Sequence, residues 1–86
     1  MPHLLATLRG VKPDVIKEVL ESDAAFHAEK GIYLEHLWQN ADDDNEVLFL
    51  FKIDNIDKTR QLINGLHEGA LKSNPHANLP TMKYLK

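Results

Sequence analysis

Residues 46–53, EVLFLFKI, are apolar at both odd and even positions, and this constrains the chain more than any other stretch. In a strand, successive side chains point to opposite sides. Val47, Phe49, Phe51 and Ile53 then load one face of a sheet while Leu48 and Leu50 load the other. A sheet with one face in water alternates apolar with polar residues, so both faces here need a cover.

The remaining periodicities say what can supply it. Residues 3–9, HLLATLR, alternate as a strand and are closed by Gly10. From Pro13 the period becomes helical, with Asp14 near the positive end of the helix dipole and Val15, Ile16, Val19, Leu20 and Phe26 at helical spacing. The spacing predicts one helix ending at Gly31. Residues 32–40, IYLEHLWQN, alternate again, and the five residues ADDDN before Glu46 predict a hairpin. Asp54 or Asn55 can cap a second helix carrying Ile56, Leu62, Ile63, Leu66 and Ala70, with Asn74-Pro75 as its stop. Gly65 and Gly69 weaken this helix and allow a kink or break near Gly65. After Pro80, TMKYL forms a last short strand.

The order strand, helix, strand, strand, helix, strand predicts an α+β domain over residues 1–86 with the βαββαβ arrangement of a ferredoxin-like fold. It implies a four-stranded antiparallel sheet with two helices on one face. Those helices cover one side of EVLFLFKI, and the simplest cover for the other is the sheet of a second copy, giving a homodimer. A chain of 86 residues without cysteine has a small core and no disulfide to reinforce it, which favours the same answer.

Residues 31–63, GIYLEHLWQNADDDNEVLFLFKIDNIDKTRQLI, resemble the central region of the dimeric α/β-barrel superfamily of ferredoxin-like fold. The shared pattern is a glycine leading into a strand, an Asn- and Asp-rich hairpin, an apolar strand, and a helix entered through an acidic or amide cap. That superfamily includes antibiotic-biosynthesis-type monooxygenases, haem-degrading monooxygenases, muconolactone isomerase and stress-responsive proteins. The resemblance implies a dimeric α/β barrel and leaves open whether the chain is an enzyme. Haem-degrading members use an Asn, Trp and His set; here the first strand has no asparagine, and the single tryptophan, Trp38, lies on the second strand.

Candidate chemistry begins in the first helix. At 100° per residue Asp23 falls near the centre of the apolar stripe, with His27 one turn later. A carboxylate and an imidazole at i and i+4 can meet, orient one another and exchange protons with a substrate, which makes Asp23 and His27 the catalytic candidates. A frayed, solvated helix end is the structural alternative. Strict alternation puts His36 and Trp38 on the side of Ile32 and Leu34, as ligand-binding walls of the same cleft. The opposite phase, with Tyr33, Glu35 and Leu37 toward the helices, carries them to the dimer seam.

The five histidines, His3, His27, His36, His67 and His76, lack ligand spacing, so no metal is expected, and no cofactor motif is present. Asp42, Asp43, Asp44 and Glu46 lack the glycine and distal glutamate of a calcium loop and read as a solvated turn. Arg9 and Lys12 could hold a substrate anion or serve as surface charges. Nucleic acid is disfavoured, because residues 1–71 carry thirteen acids against seven bases and only Lys72, Lys83 and Lys86 follow. Residues 1–9 form neither a signal peptide nor a membrane span, which predicts a cytoplasmic protein. Two functions remain. One is a cofactor-independent monooxygenase- or isomerase-type enzyme acting on a small organic molecule in a helix-sheet cleft. The other is a non-catalytic homodimer that binds a small ligand or serves a stress-related role.

Overall fold

The computed structural model describes residues 1–86. The elements are β1 (His3–Arg9), α1 (Pro13–Ser22), α2 (Ala24–Glu29), β2 (Ile32–Asn40), β3 (Asp43–Ile53), α3 (Ile56–Ser73) and β4 (Thr81–Leu85). The strands form one sheet in the order β2-β3-β1-β4, and every neighbouring pair is antiparallel. The chain is thus α+β with a four-stranded antiparallel sheet, compatible with the ferredoxin-like arrangement.

One face of the sheet carries the core. Leu4, Ala6 and Leu8 of β1 lie opposite Phe51, Phe49 and Val47 of β3. Ile16 and Leu20 of α1 are buried with them, while Leu62 and Ile63 of α3 pack against the same cluster. The other face, bearing Leu5, Leu48 and Leu50, has no helix over it, and these three leucines are only half-buried.

Four local features depart from the sequence reading. The first helix is two, because the helical run breaks at Asp23, whose ψ of 2° turns the chain between α1 and α2. Asp23 still donates its N–H to the Val19 carbonyl and accepts one from His27, so the axis shifts with little loss of backbone bonding. Conversely, α3 runs unbroken for 18 residues, with Leu62 and Ile63 packed against the core, and a Cβ at Gly65 or Gly69 would meet nothing within 4 Å. These glycines lie in open space and force no bend.

The hairpin is tighter than ADDDN implied, with β3 beginning at Asp43 so that only Ala41 and Asp42 separate the strands. Asn40 accepts the Asp42 N–H on its side-chain oxygen, and Asp43 accepts the Asn45 N–H in the same way. The fourth departure is a bulge in β2. Leu34 faces Phe51 and His36 faces Leu50, so one β3 step is matched by two on β2, with Glu35 the extra residue. Its carboxylate reaches across β3 to the His3 ring at 2.8 Å.

Asn55 caps α3 by accepting the Lys58 N–H at 2.9 Å. Asn55→Ala is expected to cost about 1 kcal/mol, measured as a lower urea midpoint at unchanged slope.

Candidate functional site

The cleft lies between α1, α2 and α3 above the core face of the sheet. It has a volume of about 190 Å³ and is walled by Ile16, Leu20 and Ile63, with Phe49, Phe51 and Met82 beneath. Asp23 and His27 are the ionisable residues that line it, and all other side chains there are apolar or proline. The helix break places them: Asp23 sits at the junction of α1 and α2, and His27 follows one turn along α2. His27 is half-buried, its ring standing edge-on to Phe51 with centroids 5.8 Å apart.

The expected Asp23–His27 side-chain contact is not formed. Asp23 is exposed, and the bond between the two residues is the backbone one, His27 N–H to Asp23 carbonyl at 2.9 Å. No salt bridge or side-chain hydrogen bond joins them. The cleft therefore presents an imidazole near its floor and a carboxylate at its rim as separate groups.

His36 and Trp38 lie elsewhere, which corrects the composite four-residue site. Ile32 and Leu34 do face the core, opposite Ile53 and Phe51, as strict alternation required. The bulge at Glu35 then reverses the phase, so Leu37 faces Phe49 while His36 and Trp38 face Leu50 and Leu48 on the open face. There the two rings stack at 4.9 Å with an interplanar angle of 15°. His27 and His36 are on opposite sides of the sheet, and the cleft is built without His36 or Trp38. The aromatic and apolar floor of Phe49, Phe51 and Met82 was missed by the sequence reading. Its signal was the single apolar face shared by β3 and the last strand.

Arg9 holds no free anion site, because its guanidinium is 2.6 Å from Asp43 and 3.4 Å from Glu46. The acidic run is correspondingly more than a solvated turn. The Asn45 N–H and then Arg9 hold the Asp43 carboxyl below the usual carboxylate range, and Asp43 in turn raises the Arg9 guanidinium above its ordinary value. A carboxyl lowered on folding contributes stability above its unfolded value of about 3.9, and this is lost as pH falls through the folded value. Asp43→Asn is therefore expected to flatten the loss of stability below about pH 4, read from urea midpoints across pH 2.5–7.

At the far edge of the sheet the Tyr84 hydroxyl is buried without a hydrogen-bond partner, and burial pushes it above the usual phenol range. The Arg60 guanidinium lies 4.7 Å from the ring centroid and opposes that rise. No three histidine or carboxylate side chains converge in a way that could hold a metal ion. No helix is long and apolar enough to cross a membrane.

No protein-family model, curated protein or solved structure matches the chain.

Proposed function

We propose that this chain is a homodimeric, ferredoxin-like α/β-barrel protein that takes a small, largely apolar organic molecule into the cleft between its helices and sheet. The observation that carries this reading is the cleft lining, where His27 stands against an apolar floor and Asp23 is the other ionisable neighbour. Such a lining binds by burial and orients by one or two polar contacts. The half-buried leucines of the open face support the dimer, since a second sheet laid on them would remove them from water.

An imidazole nitrogen can accept or donate a proton, and His27 is the imidazole that lines the cleft, so it is the group placed to exchange a proton with a bound molecule. In a cofactor-independent isomerase- or monooxygenase-type enzyme, its ring nitrogen would accept the proton from an acidic C–H or O–H of the substrate. The separation of the Asp23 and His27 side chains favours the second reading, a non-catalytic binding protein, because nothing in the cleft fixes the imidazole tautomer as a paired carboxylate would.

Hydrogen exchange into cleft ligands separates the two. In the enzyme reading, small lactones and cyclic ketones incubated with the protein in D2O exchange their acidic C–H hydrogens faster than in buffer. His27→Gln should slow this by about 10²–10⁴-fold at unchanged thermal stability, with Asp23→Asn having the smaller effect. Equal rates with the wild type, the variant and buffer would leave only the binding reading.

A further inference from the structure

The cleft does not end at His27. Across that ring lies a second groove of about 320 Å³, running between α2 and the edge strand β2 and lined by Ala24, Ala28, Tyr33 and Leu34. Leu20, His27 and Ile32 line both hollows, so they meet at one shared wall.

We propose that the two are halves of one binding site for an elongated, uncharged molecule. A compact ring occupies the inner half, an aliphatic arm lies in the outer half, and a hydroxyl or similar group between them hydrogen-bonds to His27. This rests on the reading that the inner cleft binds a small organic molecule.

Three observations support it. The inner volume of about 190 Å³ is close to that of apolar cavities of about 150 Å³ that hold a single benzene ring. The outer groove is apolar along most of its length, and the methyl side chains of Ala24 and Ala28 leave room above β2 where larger residues would fill it. The ionisable residues facing the two halves are Asp23, Glu21, His27 and the phenol of Tyr33, with neither lysine nor arginine. A carboxylate or phosphate group would meet two acids, whereas an uncharged chain desolvates without loss.

The test compares benzyl alcohol with 1-phenyl-1-octanol, which carries the same ring and hydroxyl plus a heptyl arm. Both are titrated into the full chain and followed by NMR. Benzyl alcohol is expected to shift Phe51, Met82 and His27 signals but not the Ala24 and Ala28 methyls. The longer alcohol should also shift the Ala24 and Ala28 methyls and bind at least about ten-fold more tightly, as burial of several methylenes requires. Ala28→Trp should remove that gain and leave benzyl alcohol binding unchanged, and Leu34→Asp should do the same if the tryptophan variant does not fold.

If benzyl alcohol shifts no inner signals, the cleft reading fails and this inference with it. If it binds but the arm leaves Ala24 and Ala28 unmoved, or the gain survives both substitutions, the two-part site is overturned while the cleft reading stands. Shifts of Ala24 and Ala28 with protein concentration alone would mean that a second copy fills the outer groove, which also overturns it.

Discussion

Leu50→Asp is expected to convert the proposed homodimer into a folded monomer. Leu50 lies on the open sheet face, paired with Leu5 on one side and His36 on the other, and is half-buried in the single chain. A two-fold interface carries each substitution twice. Losing the remaining burial of two half-buried leucines costs about 1.5–3 kcal/mol, before the penalty of desolvating two carboxylates, so the dimer should weaken by more than about ten-fold. Light scattering should report twice the chain mass of 9.8 kDa for the wild type at micromolar concentration and the single mass for Leu50→Asp. The variant should unfold cooperatively, because position 50 is outside the buried core cluster. A wild type that is itself monomeric at those concentrations would remove the case for a second sheet as cover.

Gly31→Val should be the most damaging single substitution outside the core. Gly31 joins α2 to β2 with φ of +74°, where a side chain costs about 1–2 kcal/mol through contact with its own backbone. A Cβ would also stand 2.5 Å from the Asp54 Oδ2 and 2.9 Å from its Cγ. The Asp54 N–H donates to the Gly31 carbonyl at 3.0 Å, which holds its backbone and its Cβ, 3.0 Å from the added atom, in place, so only the carboxyl can turn away. With the valine branch added, we expect a loss of about 2–4 kcal/mol from a domain whose total stability should be about 4–13 kcal/mol. Thermal unfolding should fall by at least about 8 °C. Gly31→Ala is milder, and adding Asp54→Ala should recover the contact part of its cost while leaving the backbone part. No recovery in the double variant would assign the whole effect to φ.

The order and type of the strands and helices were legible because the hydrophobic period changes between 2 and 3.6 at points marked by Gly10, Pro13, Gly31, Asn55 and Pro80. The break at Asp23 was not, since helical spacing continues from Leu20 through Asp23 to His27 and a change of one ψ leaves no mark on it. The early start of β3 depends on Arg9, 34 positions before Asp43, and local turn composition does not register such a partner.

The candidate site was half legible. Helical phase brought Asp23 and His27 to one cleft, as found, but their side chains were misjudged because i, i+4 contact assumes an unbroken helix. His36 and Trp38 were carried to the wrong face by counting alternation across Glu35. A trace of the bulge is present in the sequence: Leu34 and Leu37, three apart, cannot share a face of a regular strand, yet both pair with core phenylalanines. The outer groove had no local signature, since it arises where α2 passes over β2.

The extra residue at Glu35 has a further consequence for how this protein behaves when crowded with its own kind. β2 is an edge of the sheet, nine residues long, and carries exposed Tyr33, Leu34 and Trp38. A straight strand of that character is a template on which other chains can add ladder after ladder into a fibre. The bulge interrupts the ladder in mid-strand, while the Glu35 carboxylate turns inward across β3 to His3. An arriving strand can match the register before the bulge or after it, but not both, so the same irregularity that separates His36 from the cleft makes this edge a poor template for continuous strand addition.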